Sequence, residues 1–262
     1  MIPLIDKINT TLPQKGELAL FYLGQAGFAI KTASGKLVII DAYLSDAAER
    51  MFGFKRMIPP VMEASACDAD FWLSTHSHID HLDLDILPVI AGNSKTMFIG
   101  ALDCEAHYDE SGIALERCVI LEKGETWNTG ELLVTAIDAD HGELAPEAVG
   151  FLIEINGIKV YHTGDTCYCP DKILPYLPLD IDVMLAPING QFGNMNAIEA
   201  CKLAALVKPR IVIATHFWMF LEHVAGGGLG DPATFLIEAK KLPQEIHAGV
   251  MAPGEMLIIK KQ

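Results

Sequence analysis

Short apolar runs separated by polar or glycine-containing turns organise the chain. "ELALFYLG" and "GFAIKT" read as strands joined by a tight turn between Gly24 and Gly27. "GKLVIIDAY" is another strand, ending at Asp41, and "ADFWLSTHSH" is a strand running directly into a cluster of polar residues. The following "DLDILPVIAG" predicts a short helix with acids, Asp83 among them, in its first turn, where the helix dipole favours negative charge. In the middle of the chain, "KTMFIG", "RCVIL", "LLVTAID", "AVGFLIEI" and "IKVYHTGD" follow one another around a helix-like "ALDCEAHYDESG". Asn156–Gly157 marks a hairpin turn there.

The last third changes rhythm. "VMLAPI" and "RIVIATH" are strands flanking the amphipathic helix "NAIEACKLAALVK". "DPATFLIEAKKL" is a helix with Pro232 near its start, and "MLIIKK" is a closing strand. No low-complexity linker, charge block or short repeat interrupts this pattern, and "AGGGLGD", Ala225 to Asp231, is its one flexible stretch. A single α/β domain with mixed sheets over residues 1–262 is the expectation.

Against this apolar background, "THSHIDHLD" concentrates three histidines and two aspartates in nine positions. Three further polar residues share its setting: His141 in "DADHGE", Asp165 in "HTGDT" and His216 in "IVIATHFW". Each lies at or just beyond the end of a predicted strand, and strand ends on one edge of a sheet lie together. His76 and His78 are two apart, so in an extended segment they face the same side. Asp80 and His81 follow where the chain turns, and can face a second point. Neutral imidazoles with carboxylates suit Zn2+, Mn2+ or iron. Seven donors exceed one tetrahedral ion but suit a pair that shares a carboxylate.

Composition narrows the function classes. The chain of 262 residues is 51% hydrophobic, enough for a full core, so it is not intrinsically disordered. Its 34 acidic against 19 basic residues give a formal net charge of −15. That excludes nucleic acid or an anionic membrane as the main partner, because both need an extended basic surface. A small-molecule substrate, anionic or phosphorylated ones included, is compatible with it, and so is a homo-oligomer. The amino terminus lacks the pattern of a signal peptide, and no apolar run approaches the ~18–20 residues that cross a bilayer. Six cysteines without a secretory signal read as reduced thiols, so a cytoplasmic location is expected.

The ordered set HxHxDH, His, Asp, His, running from His76 to His216, resembles the signature of the metallo-β-lactamase superfamily. "FYLGQAGFAI" and "IIDAY" are similar to its opening strands, so the resemblance covers nearly the whole chain. It implies an αβ/βα four-layer sandwich: two mixed β-sheets face to face, helices on the outer faces and metals at one edge. By that pattern His76, His78 and His141 would bind one divalent ion, and Asp80, His81 and His216 a second. Asp165 would bridge them, and Asp41 would support the ligands from outside. Asp80 and Asp165 are then also the catalytic carboxylates.

A water shared by two such ions is a hydroxide near neutral pH, able to attack a carbonyl or phosphoryl centre without a serine or cysteine nucleophile. Hydrolysis is therefore the first expectation. Di-iron redox proteins of the same fold typically carry HxExDH, and His78 stands where they have glutamate. Iron-dependent persulfide oxygenases keep a histidine there and stay open as an alternative. Nucleases of the superfamily usually have an inserted domain and a basic surface, neither of which is evident here. "STHSHIDHLD", "ERCVILEKGE" and "HTGDTCY" look most like the branch containing L-ascorbate-6-phosphate lactonase, whose members use a divalent metal, often manganese. This chain is shorter, and has "HFWMF" where that branch tends to have a second histidine beside the last ligand. Lactone, ester, amide and phosphodiester remain as substrates, in that order, with Mn2+ or Zn2+ as the cofactor.

Substrate contacts are sought near the predicted ligands. The phenols of Tyr43 and Tyr168 could hydrogen-bond an oxyanion. Asn189, Gln191 and Asn194, in "APINGQFGNMN", could donate to a ligand, and His223 could reach over the site from its glycine-rich surroundings. Cys167 and Cys169 read as ordinary thiols.

Overall fold

The computed structural model describes residues 2–221 and 230–261. Among these the strands form two seven-stranded sheets. In spatial order the first is β14 (Met256–Lys260), β1 (Glu17–Gly24), β2 (Gly27–Thr32), β3 (Leu37–Ile40), β4 (Phe71–Ser74), β5 (Met97–Gly100) and β6 (Cys118–Ile120). The second is β13 (His247–Val250), β12 (Ile211–Thr215), β11 (Val183–Pro187), β10 (Ile158–His162), β9 (Val149–Ile155), β8 (Leu132–Asp138) and β7 (Thr126–Asn128). Both are mixed: β3 to β6 and β10 to β13 run parallel, and the remaining pairs are antiparallel. Buried side chains of both sheets belong to one apolar core. The architecture is the αβ/βα sandwich of the α/β class.

The central strands of both sheets are strongly apolar. Every residue of β3 and β11 is buried, as expected of central strands covered on both faces. Helix Ala197–Val207 covers β11 and β12 with Ala200, Leu203, Ala204 and Val207. Asn196 starts it by accepting from the Ile198 and Glu199 amides, while Glu199 reaches back to the Asn196 amide. Such a capping box is worth about 1 kcal/mol. Asn156 and Gly157 both have positive φ, 54° and 78°, the turn that matches the twist between β9 and β10.

Several elements escape the sequence pattern, among them the helices Leu4–Thr10 and Ala47–Phe52, β7 and β13. "TWN" and "HAGV" are too short for a period of two to show. The helix foreseen in "DLDILPVIAG" forms only over Leu87–Ala91, so Asp83 precedes it rather than opening it. Asp83 is buried instead. Its carboxylate accepts from the amides of Leu44 and Ser45 and from the Ser45 hydroxyl, pinning the segment after β3 to the HxHxDH loop.

Candidate metal centre

The seven donors do lie at strand ends, on loops following β4, β8, β10 and β12. Two backbone bonds join the sheets there: Val149 N to Thr75 O at 3.0 Å, and His216 N to Gln25 O at 2.8 Å. Residues 75–82 are not extended, as the two-apart spacing suggested, but a run of bends and turns closed by bonds from the His81 and Leu82 amides to His78 O. His76, His78, Asp80 and His81 converge because that loop coils, not because a strand alternates. Gly164 allows the Asp165 loop to press against it. At φ +62°, a Cβ there would meet Val149 O at 2.7 Å and the Thr75 side chain at 3.1 Å.

Three overlapping groups of donor atoms result: His76, His78 and His141; His76, His81 and Asp165; and Asp80, His81 and His216. In each, the atoms lie within 4.8 Å of one another. His78 Nδ1 is 3.3 Å from His141 Nε2, and His81 Nε2 is 3.3 Å from Asp165 Oδ1. Ligands about 2.0–2.1 Å from a tetrahedral ion stand about 3.3–3.4 Å apart, so these edges fit one. The Asp165 carboxylate reaches across the groups, with Oδ2 at 3.2 Å from His216 Nε2 and 3.7 Å from His141 Nε2. His76 Nε2, His81 Nε2 and Asp165 Oδ1 are buried without a hydrogen-bond partner. Buried polar atoms that face one another yet make no hydrogen bond are what a cation-binding cluster requires.

Several of the donors are held from behind. Asp41, at φ +46° just past β3, is wholly buried. It accepts from the Thr75 amide at 2.8 Å, the Thr75 hydroxyl at 2.7 Å and His81 Nδ1 at 2.8 Å. That fixes the proton on His81 Nδ1 and leaves Nε2 facing the cluster. His78 likewise turns Nε2 to Leu144 O at 3.1 Å, which frees Nδ1. Asn194 donates to Asp165 Oδ2 at 2.7 Å, and Gln25 donates to Asp80 Oδ2 at 2.7 Å while lying 3.1 Å from His216 Nε2.

Electrostatics divides the donors. Burial, reinforced by the neighbouring His81, holds His76 well below the ordinary histidine value, and burial takes His141 down to about 4. Both offer free lone pairs at neutral pH. Burial would also lower His81 and His216, but Asp165 leads the surrounding carboxylates in offsetting it. They hold His81 well above its usual value and push His216 up to about 9. The same contacts keep Asp80 and Asp165 below the carboxylate range despite burial, which would raise them.

A profile of the beta-lactamase superfamily domain matches residues 36–217, a span containing all seven donors. The chain belongs to the metallo-β-lactamase superfamily. Within the superfamily, it is 31% identical to a UPF0173 metal-dependent hydrolase of Rubrobacter xylanophilus over 255 residues, 92% of this chain and 97% of that one. It is thereby a member of the metal-dependent hydrolase family. Igni18, a metallo hydrolase from Ignicoccus hospitalis, superposes with a TM-score of 0.70 at 20% identity, covering 94% of this chain and all of Igni18. CmlA, a diiron β-hydroxylase from Streptomyces venezuelae, gives 0.70 at 15% identity, covering 95% of this chain and 55% of CmlA. Proteins of different reactions therefore share this fold, and the site must supply the argument for this one.

Most of the expected substrate contacts lie elsewhere. Tyr43 is buried, its phenol accepts the Ala48 amide at 3.1 Å, and its ring packs under the Arg56 guanidinium. Tyr168 packs against the core, and Asn189 is buried with its amide near Gln191 O. None of the three lines the cavity over the donors. Asn194 reaches the site, but as a support for Asp165. His223 and Ala225 to Leu229 lie outside the described residues, so of the glycine-rich stretch only Gly230 and Asp231 are described. Gln25 and Thr75 escaped the sequence reading, although both sit in polar breaks directly against buried strands. So did the lining residues Phe54, Leu144, Phe192 and Phe220.

Proposed function

We propose that this chain hydrolyses an ester-type carbonyl, a lactone first among the candidates, using two divalent ions, Mn2+ or Zn2+. The position of Asp165 carries the reading: its two oxygens face His81, His141 and His216 at 3.2–3.7 Å, the arrangement a shared ligand needs. His76, His78 and His141 would hold one ion, and Asp80, His81 and His216 the other. Bound ions supply Lewis acidity and a water of lowered pKa. The protein's part is to keep the donors in place: Gln25 holds Asp80, Asn194 holds Asp165 and Asp41 holds His81. In the net reaction the water oxygen bonds to the carbonyl carbon, the acyl C–O bond breaks and the departing oxygen takes up a proton from that water. No lysine or arginine lines the described cavity. This favours a carbonyl substrate over a phosphodiester, and an unphosphorylated lactone over a phosphorylated one.

The test is a panel run with Mn2+ and Zn2+ separately: γ-lactones with and without phosphate, an aryl ester, a chromogenic phosphodiester and a β-lactam. Lactone or ester turnover that is abolished in Asp165→Ala, together with lowered metal occupancy, is expected. Activity on the phosphodiester alone, or a fully active metal-replete Asp165→Ala, would overturn the reading. So would bound iron with oxygen uptake after growth without added zinc.

A further inference from the structure

Above the donor cluster lies a cavity of about 420 Å³ whose floor is His78, Asp80, His141, Asp165 and His216. Its walls are mainly apolar. Phe54, Phe192 and Phe220 come from three separate stretches of chain and form an aromatic group, with Phe54 6.0 Å from each of the other two rings. Met51, Phe52 and Leu144 extend the apolar lining. Of these, Phe52, Leu144 and Phe192 are about half or more exposed, at 60%, 57% and 49%. Apolar side chains left in water around the mouth of a functional cavity mark what enters it.

The polar side chains of the wall, outside the donors, are Ser77 and His107. The Ser77 hydroxyl and amide bond to Asp103, and His107 lies 3.6 Å from Glu110. The nearby cations point elsewhere: Arg50 pairs with Asp85, and Arg56 bonds to Ile58 O and Ser45 O. Among the described residues no lysine or arginine lines the wall to compensate a phosphate or carboxylate, and a net charge of −15 repels an anion approaching it.

We infer that the substrate is an uncharged ester or lactone carrying an apolar tail, aliphatic or aryl, which lies on Phe54, Phe192 and Phe220 while its carbonyl meets the donor cluster. This rests on the hydrolase reading for the chemistry and on the cavity alone for the tail. The occupant is the substrate, because the cavity is continuous with the donors; a second copy of the chain on this face is a separate outcome.

Two series on the metal-loaded protein test it. The first is 4-nitrophenyl esters and γ-alkyl lactones of rising chain length, each lactone also in a phosphorylated form. The second is the corresponding fatty amides, read by calorimetric binding rather than turnover. Each added methylene buried in the cavity lowers KM and amide Kd about fourfold until the cavity is full, from about 0.8 kcal/mol per CH2. Phe192→Ala flattens that dependence in both series. Amide affinity that rises with chain length, without turnover of any ester or lactone, keeps the tail site and overturns the hydrolase reading. Turnover with KM independent of chain length, or better with the phosphorylated lactones, keeps the hydrolase and overturns the tail site. A dimer that Phe52→Lys dissociates, with amide binding independent of length, would assign the face to a second copy and also overturn it.

Discussion

Asp41 and His81 are both fully buried and meet through a 2.8 Å bond from Nδ1 to Oδ2. The bond joins the end of β3 to the HxHxDH loop, and decides which nitrogen of His81 faces the other donors. Asp41→Asn keeps the volume but sets an amide N–H against His81 Nδ1–H. Metal affinity should fall about 10–100-fold, measured by competition with a fluorescent chelator. Unchanged affinity would show that the aspartate does not orient the imidazole.

Gln25 and His216 both adopt left-handed backbone conformations, at φ 53° and 57°, and are tied by a backbone bond. The Gln25 amide then bonds to Asp80. Gln25→Leu removes that donor at similar volume. If the proposed pair of ions binds, the variant should weaken one of them by about 10–100-fold and leave the other. Calorimetric titration with Zn2+ reads this as two separated steps; two unchanged steps would refute it.

The histidines predict a stability maximum for the metal-free protein. His76 and His141 are depressed when folded, so below the unfolded value of about 6.5 the unfolded chain binds more protons, and stability rises with pH up to there. His81 and His216 are raised, so their contribution is complete below about 6.5 and is lost as pH climbs toward about 9. The Tm of metal-free protein should therefore peak near pH 6.5 and decline by several degrees by pH 8.5. Buried thiols such as Cys67, which burial raises to about 12, would steepen any decline beyond that point. Metal-loaded protein should not show the decline between pH 6.5 and 8.5, because its ligands are already deprotonated. Calorimetric scans of both forms across this range check it.

The same division predicts proton release on loading. At pH 7 an ion held by His76, His78 and His141 displaces little from His76 and His141, whereas one held by His81 and His216 must displace their protons. Titrations in buffers of different ionisation enthalpy should give two steps, with release of about two protons confined to one of them. Equal release in both steps would contradict the division.

Gly164→Ala forces a Cβ to within 2.7 Å of Val149 O at a left-handed backbone position. The loop carrying Asp165 must shift, at a cost of about 1–3 kcal/mol, which is several degrees of Tm in a chain of this size. Metal occupancy should fall with it, read by elemental analysis. A variant that melts normally and remains metal-replete would refute the close-packing argument.

Apolar periodicity and donor chemistry are local properties, and the sequence revealed them directly. The runs that become β1 to β4 and β8 to β12 were legible because central strands must be apolar on both faces. The donors His76 to His216 were legible because so many imidazoles and carboxylates at strand ends are hard to explain otherwise. Where Tyr43, Tyr168 and Asn189 would point was not legible, because side-chain direction in a loop depends on what packs behind it. Asp83 looked like a helix acid for the same reason, and became a clamp on Leu44 and Ser45. Gln25 and the aromatic wall of Phe54, Phe192 and Phe220 have no period or spacing that links them. Only the folded chain, by bringing the loops of two sheets to one edge, decides that they meet at the donors.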